Sequence, residues 1–203
     1  MKKVLIAYTT NAGSTEKVAQ AIGEELGRDG AQIQVSRLEQ VTGLETYDAI
    51  VVGAPMILGW HGAAVKFIQK HEHILSQMPV AYFLTAMSLT QTSDTSVGAL
   101  PVYVDPGLAK PPKNPRRLSF KERYATAPHY LDPVLKAAPS VKPVGIGFFG
   151  GKLELYRLPL LQMLFVLLVI QAQPGDFRNW PAIREWATNL RSELLESQPA
   201  QVE

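Results

Sequence analysis

The sequence predicts an α/β fold: a doubly wound five-stranded parallel sheet with helices on both faces and a long insertion after the fourth strand. Three observations predict it. Short apolar runs rich in β-branched residues, without polar alternation, read as strands buried on both sides. Segments with apolar residues three and four apart separate these runs and read as helices. The strand exits are rich in small and hydroxyl-bearing residues, as expected at the C-terminal edge of such a sheet, where ligands bind.

Residues 1–8 (Met-Lys-Lys-Val-Leu-Ile-Ala-Tyr) form the first, central strand. The turn Thr9, Thr10, Asn11, Ala12, Gly13, Ser14, Thr15 follows, and a helix starts in it. Val18, Ala19, Ile22 and Leu26 recur at helical spacing until Gly27 or Gly30 ends the pattern. Ile33 and Val35 alternate with polar residues as a second strand. Residues 47–53 are a buried third strand, and 54–61 (Ala-Pro-Met-Ile-Leu-Gly-Trp-His) form the loop leaving it. A second helix is predicted over 62–77, with Ala64, Phe67, Ile68, His71, Ile74 and Leu75 on one face. Residues 79–84 are the fourth strand, and Thr85, Ala86, Met87 and Ser88 follow it.

The pattern then stops, and 91–135 is expected to be irregular. Pro101, Pro106, Pro111, Pro112 and Pro115 break any helix, and Gly98 and Gly107 add flexibility. Residues 106–123 carry Lys110, Lys113, Arg116, Arg117, Lys121 and Arg123 against Glu122, six cations to one carboxylate, a local charge of +5. A solvated loop, a lid over a ligand and a basic patch facing acidic groups are the readings open here. A helix resumes over 124–138, shortened by Pro128 and Pro133, and 143–149 is the fifth strand, ending in Gly150-Gly151. Residues 158–172 are apolar but for Gln162 and Gln171, with no charge. As a helix they would cover ~22 Å, against the ~30 Å of a bilayer core. Such a segment must be buried in its own core, in a homo-oligomer interface, or in a peripheral membrane contact through 153–172. Ile183, Trp186, Ala187, Leu190 and Leu194 form the buried stripe of the last helix, with Asn179 or Asp176 as its cap. The tail after Ser197 is polar.

At 203 residues the chain is expected to be a single domain over 1–203, with the insertion at about 91–135. It has no cysteine, which excludes disulfides, thiolate metal sites and a Cys nucleophile and fits a reducing, cytoplasmic compartment, with membrane association as the alternative. No signal segment precedes the first strand. A net charge of +2 and a pI of about 8.8 do not argue for nucleic acid as a partner, and no nucleic-acid module is visible. His71 and His73 sit two apart, on different helix faces, so no metal site is expected there. No catalytic triad or carboxylate pair is assigned. His61, beside a Gly at a helix start, reads as a cap rather than a base.

The N-terminal turn carries the chemistry. First-turn N–H groups of a helix have no intrahelical partner, and the helix dipole favours an anion there. Thr9, Thr10, Ser14 and Thr15 add hydroxyls, and Gly13 lets the backbone approach a ligand. No Lys follows the Gly as in a P-loop, and no Gly-x-Gly-x-x-Gly is present. A cradle of hydroxyls and N–H groups suits a monophosphate ester. Tyr8, Thr10, Gly13, Thr15, Ala19 and Ile22 match the signature of the flavodoxin family, which the chain therefore resembles; Ala7 departs from it, where a bulkier residue is usual.

The resemblance implies a flavodoxin-like fold with FMN as cofactor. The turn from Thr9 to Thr15 would take the 5′-phosphate. Ala54, Pro55, Met56, Ile57, Gly59 and Trp60 in the second loop, and Thr85, Ala86, Met87 and Ser88 in the third, would flank the isoalloxazine. Trp60 would serve as a stacking face or as ordinary packing. Electron-shuttling flavodoxins are acidic, and this chain is not, which disfavours a simple shuttle. Gly53-Ala54-Pro55, Gly59-Trp60-His61, Phe67, Lys70-His71, Met78-Pro79, Gly150-Gly151-Lys152, Tyr156-Arg157, Asp176 and Trp180 are similar to the branch containing menaquinone-dependent protoporphyrinogen IX dehydrogenase. That implies an FMN oxidoreductase passing electrons from a hydrophobic donor to a quinone. The alternatives are a non-enzymatic FMN carrier serving redox partner proteins and an NAD(P)H-quinone reductase.

Overall fold

The structure is a computed structural model; it describes residues 1–56, 59–91, 100–153 and 174–196. Ile57 and Leu58 of the second loop, residues 92–99 with Gly98, the apolar segment 158–172 with Tyr156-Arg157 before it, and the tail from Ser197 lie outside the described residues.

In chain order the elements are β1 (Lys3–Tyr8), α1 (Ser14–Leu26), β2 (Gln32–Arg37), β3 (Ala49–Pro55), α2 (Gly62–Lys70), α3 (Glu72–Leu75), β4 (Val80–Ala86), β5 (Leu89–Thr90), β6 (Val102–Val104), β7 (Ala109–Lys110), α4 (Phe120–Tyr124), α5 (Ala127–Ala137), β8 (Gly145–Gly150), β9 (Lys152–Leu153), β10 (Gly175–Asp176) and α6 (Trp180–Leu195). The main sheet runs β2-β1-β3-β4-β8-β6, and its strand pairs are all parallel. From β1 the chain first winds outward to β2 and then crosses back to β3. The crevice at that reversal is where open α/β sheets bind ligands.

Side chains alternate between the two faces of each strand. Leu5, Ala7, Ile50, Val52, Tyr82, Leu84, Ile146 and Phe148 meet Ala64, Phe67 and Ile68 of α2, Leu75 of α3 and Tyr130, Leu131 and Val134 of α5. Val4, Ile6, Val51, Ala81, Phe83 and Phe149 face Val18, Ala19 and Ile22 of α1 and Ile183, Trp186, Ala187, Leu190 and Leu194 of α6. The central strands are therefore apolar on both sides, which is why they lack alternation in sequence. The edge strand β2 does alternate, and its Val35 remains 36% exposed.

The structure corrects the sequence reading at three places. Among the described residues the main sheet has six strands where the sequence predicts five. The extra one, β6, lies between Pro101 and Pro106 and is too short to carry a period. It covers the open edge of β8: the Ile146 N–H donates to the Pro101 carbonyl at 2.9 Å, and the Asp105 N–H donates to Phe148 at 2.9 Å. The stretch 91–135 is accordingly not irregular throughout, since β6, β7, α4 and most of α5 lie in it. Pro128 sits in the first turn of α5, where its missing N–H costs nothing. Pro133 lies inside the helix, held by buried Tyr130, Leu131 and Val134. Finally, the helix expected over 62–77 breaks at His71 into α2 and α3. The His71 ring lies 4.7 Å from that of Phe67, and Glu72 Oε1 accepts the Ser140 N–H at 2.8 Å.

Candidate functional site

Sheet register brings four strand exits to one edge. Tyr8 pairs with Gly53, Pro55 with Thr85, and Ala86 with Gly150. The segments that follow these residues surround a cleft lined by Thr10, Asn11, Ala12, Ser14 and Thr15, by Pro55 and Met56, by Thr85, Ala86 and Met87, and by Gly151, Lys152 and Leu153.

The first wall is built by local sequence. Gly13 is the N-cap of α1 with φ +83°, the left-handed region that a residue without Cβ adopts at little cost. Among the described residues no side chain caps this helix, so first-turn N–H donors are left without a capping partner beside the cleft that Ser14 and Thr15 line. The neighbouring hydroxyls are held from behind. Thr10 Oγ1 accepts the Gly13 N–H at 2.9 Å, and Ser14 Oγ accepts the Lys152 N–H at 2.9 Å. Each oxygen is thus fixed by a backbone donor and retains its own proton to donate. Thr15 and Thr85, both buried, share a hydroxyl–hydroxyl bond of 2.9 Å that ties α1 to β4. The second wall is fixed by the Met56 N–H, which donates to the Thr85 carbonyl at 2.8 Å.

The third wall, Gly151-Lys152-Leu153, was not assigned to the site from sequence, although the Gly-Gly strand exit carries the same signal as the other loops. The Gly151 N–H donates to Ala86 at 2.9 Å and the Phe177 N–H to Gly151 at 3.0 Å, while β9 pairs antiparallel with β10. Lys152 is the charged residue among the described lining residues. Hydrogen bonding from Arg178 holds the Asp176 carboxyl of β10 below its ordinary range. Behind this wall lies Asp105, fully buried. Its Oδ1 accepts the Gly107 N–H at 2.9 Å and Asn179 Nδ2 at 2.9 Å, and its Oδ2 accepts the Gly150 N–H at 3.5 Å. Asn179 Oδ1 also caps α6 through the Ala182 N–H at 3.3 Å. The insertion, the end of β8 and the start of α6 therefore meet at one carboxylate.

The other expected site residues stand around the lining rather than in it. The Thr9 N–H donates to Gly53 at 3.0 Å, and Ala54 is buried within β3. Gly59 precedes Trp60, which is 7% exposed, bridges back to Met56 and sits edge-on to Tyr82 with centroids 5.4 Å apart. Its buried Nε1 has no hydrogen-bond partner among the described residues. Ser88 is exposed, and its carbonyl accepts the Tyr130 hydroxyl at 3.2 Å; burial pushes that phenol up to about 12. His61 is the α2 cap, its Nδ1 accepting the Ala63 N–H at 3.4 Å. Ile57 lies outside the described residues. Among the described residues no group of His, Cys, Asp or Glu is placed to hold a metal.

The Flavodoxin domain family matches residues 5–178, well over half of the chain. This chain is a member of the flavodoxin domain family. Among solved structures, a flavodoxin from the domain Archaea superposes with a TM-score of 0.50 at 12% identity, over 95% of this chain and 98% of that one. The flavodiiron protein from Giardia intestinalis also gives 0.50, at 10% identity over 97% of this chain and 37% of that one. These likenesses show the fold. Protoporphyrinogen IX dehydrogenase [quinone] of Escherichia coli K12 is 33% identical over 84 residues, 40% of this chain and 46% of that protein. NAD(P)H dehydrogenase (quinone) of Acidovorax ebreus is 35% identical over 29% of this chain and 40% of that protein. The chain thus spans about half the length of the curated relatives it matches. The cleft at the strand ends is the candidate site of this flavodoxin-domain chain. Among the described residues no helix is long and apolar enough to cross a membrane.

Proposed function

We propose that the cleft binds FMN and that the protein is an oxidoreductase passing electrons from a hydrophobic donor, of the protoporphyrinogen type, to a quinone. The observation that carries the cofactor is the donor set: an uncapped helix N-terminus flanked by Thr10 and Ser14 hydroxyls, each braced by a backbone N–H. That set fits a phosphate monoester. Apolar Pro55, Met56, Ala86, Met87 and Leu153 line the rest of the cleft and suit a flat, largely apolar ring.

When bound, FMN supplies the redox chemistry. Thr10, Ser14, Thr15 and the first-turn N–H groups of α1 would hold its phosphate. Pro55, Met56, Met87 and Leu153 would flank the ring and keep water from it, and Lys152 adds positive charge to the wall facing Ser14. The quinone acceptor is supported by the partial relatives, both named for quinones.

Titration of the purified protein with FMN, followed by flavin absorbance, tests the reading. Stoichiometric uptake is expected, weakened roughly ten-fold or more by Ser14→Ala, since a hydrogen bond to a charged group contributes about 1.5–3 kcal/mol. No uptake overturns it. Anaerobically reduced protein should then be reoxidised rapidly by a soluble quinone. Reoxidation only by redox partner proteins would instead identify an electron carrier.

A further inference from the structure

The insertion carries a surface that the redox reading leaves unused. Residues 106–124 hold six cations, Lys110, Lys113, Arg116, Arg117, Lys121 and Arg123, and every one is exposed. Glu122 is the lone carboxylate of this stretch, and its two oxygens are engaged by the backbone of the loop. Its Oε1 accepts the Lys113 N–H at 2.8 Å and its Oε2 accepts the Ser119 N–H at 2.7 Å, while Ser119 Oγ completes the capping box of α4. The acid is thus consumed in holding the backbone of the loop, and the cations face outward. Between them stand two aromatic rings in the open: Phe120 is 60% and Tyr124 41% exposed, with ring centroids 4.4 Å apart.

Cations alone are commonplace on a protein surface, and a lone exposed ring needs no explanation. Their interleaving does narrow the partner. Lys and Arg around a pair of unburied rings match the boundary of an anionic bilayer, where aromatic rings sit at headgroup level and basic side chains meet lipid phosphates. The surface also lies at the ligand edge of the sheet. The Thr90 N–H donates to the Ala125 carbonyl at 2.6 Å, which ties the end of α4 to β5, and β5 begins two residues after the cleft residue Met87.

We infer that the basic, aromatic surface of 110–124 docks this protein on an anionic phospholipid bilayer, with the cleft edge toward the membrane. Docking needs neither bound flavin nor turnover. It goes beyond the proposed function by stating where a membrane-dissolved quinone would be met.

Sedimentation of the full chain with vesicles tests it, comparing pure phosphatidylcholine with mixed phosphatidylcholine–phosphatidylglycerol. The protein is expected to pellet with the mixed vesicles, not with the neutral ones, and to be released by salt. At ~1 kcal/mol per basic residue near such a surface, each neutralised cation weakens binding about five-fold. The triple variant Lys113→Gln/Arg116→Gln/Arg117→Gln should therefore lose on the order of 100-fold. Phe120→Ser, which leaves every charge in place, should lose about ten-fold from the apolar contact alone. Flavin uptake by both variants should equal that of the parent, and it reports the redox reading separately: uptake without pelleting sinks the docking inference alone, and pelleting without uptake sinks the cofactor alone. Absence of pelleting with mixed vesicles, including the case in which the surface binds an acidic protein instead, overturns the inference. So does equal binding of parent and both variants.

Discussion

Thr15 and Thr85 offer a test of whether the first wall of the cleft and the sheet act as one unit. Their hydroxyls meet at 2.9 Å in a buried setting, Thr15 being 0% and Thr85 4% exposed. Thr→Val replaces a hydroxyl by a methyl of nearly the same size. Either single variant leaves the partner hydroxyl buried and unsatisfied, which costs roughly 1–3 kcal/mol. For a chain of this size each kcal/mol lowers Tm by about 2–4 °C, so each single variant should melt roughly 2–12 °C below the parent. The double variant removes both polar groups and leaves two methyls in contact. Its loss should fall well below the sum of the singles, and a coupling energy of about 0.5–3 kcal/mol is expected between the sites. Thermal unfolding of all four proteins without added FMN, followed by circular dichroism, measures it. Additive losses would refute the reasoning, because they would mean that each hydroxyl is satisfied by something other than its neighbour.

Two further outcomes follow from the geometry. A Cβ added at Gly150 would stand 1.9 Å from the Phe177 carbonyl oxygen, where real contacts keep out to 3.0 Å. Gly150→Ala should therefore push Phe177 off Gly151, loosen the β9–β10 pair and cost about 1–3 kcal/mol, read as a fall in Tm together with weaker FMN uptake; an unchanged Tm would contradict it. Glu122 is held at about 2, below its ordinary 4.5, first by the Ser119 hydrogen bond and then by the Lys113 N–H. A carboxyl with a depressed folded-state pKa contributes stability that is present above 4.5 and lost as pH falls toward 2. Proteolytic nicking within 110–124 should consequently rise over that window, and Glu122→Gln should remove the pH dependence. Nicking that is flat across the window in the parent would rule the clamp out.

How much could be read in advance depended on sequence separation. The turn Thr9–Thr15 was legible because strand, turn and helix cap are contiguous: the run from Lys3 to Leu26 contains its own apolar period, its hydroxyls and the glycine of its left-handed cap. The stripe of α6 was legible for the same reason, and each of its expected members is buried. The third wall of the cleft was not. Lys152 reaches Ser14 across 138 residues of chain, and nothing local to Gly150-Gly151 says which turn it will face. The β6 strand and the break at His71 were equally illegible, because three residues carry no period and the apolar spacing of 62–77 runs on through His71.

Hydrophobic period and turn chemistry, both local properties, therefore determined by themselves the layered α/β class, the buried central strands and the turn that opens α1. Tertiary structure alone decided which loops share the cleft, which strand closes the sheet beyond β8, and that Asp105 of the insertion joins β8 to α6. The physical reason is parallel register. It aligns the exits of strands far apart in sequence, and the contacts made there are satisfied by partners that no local pattern can name.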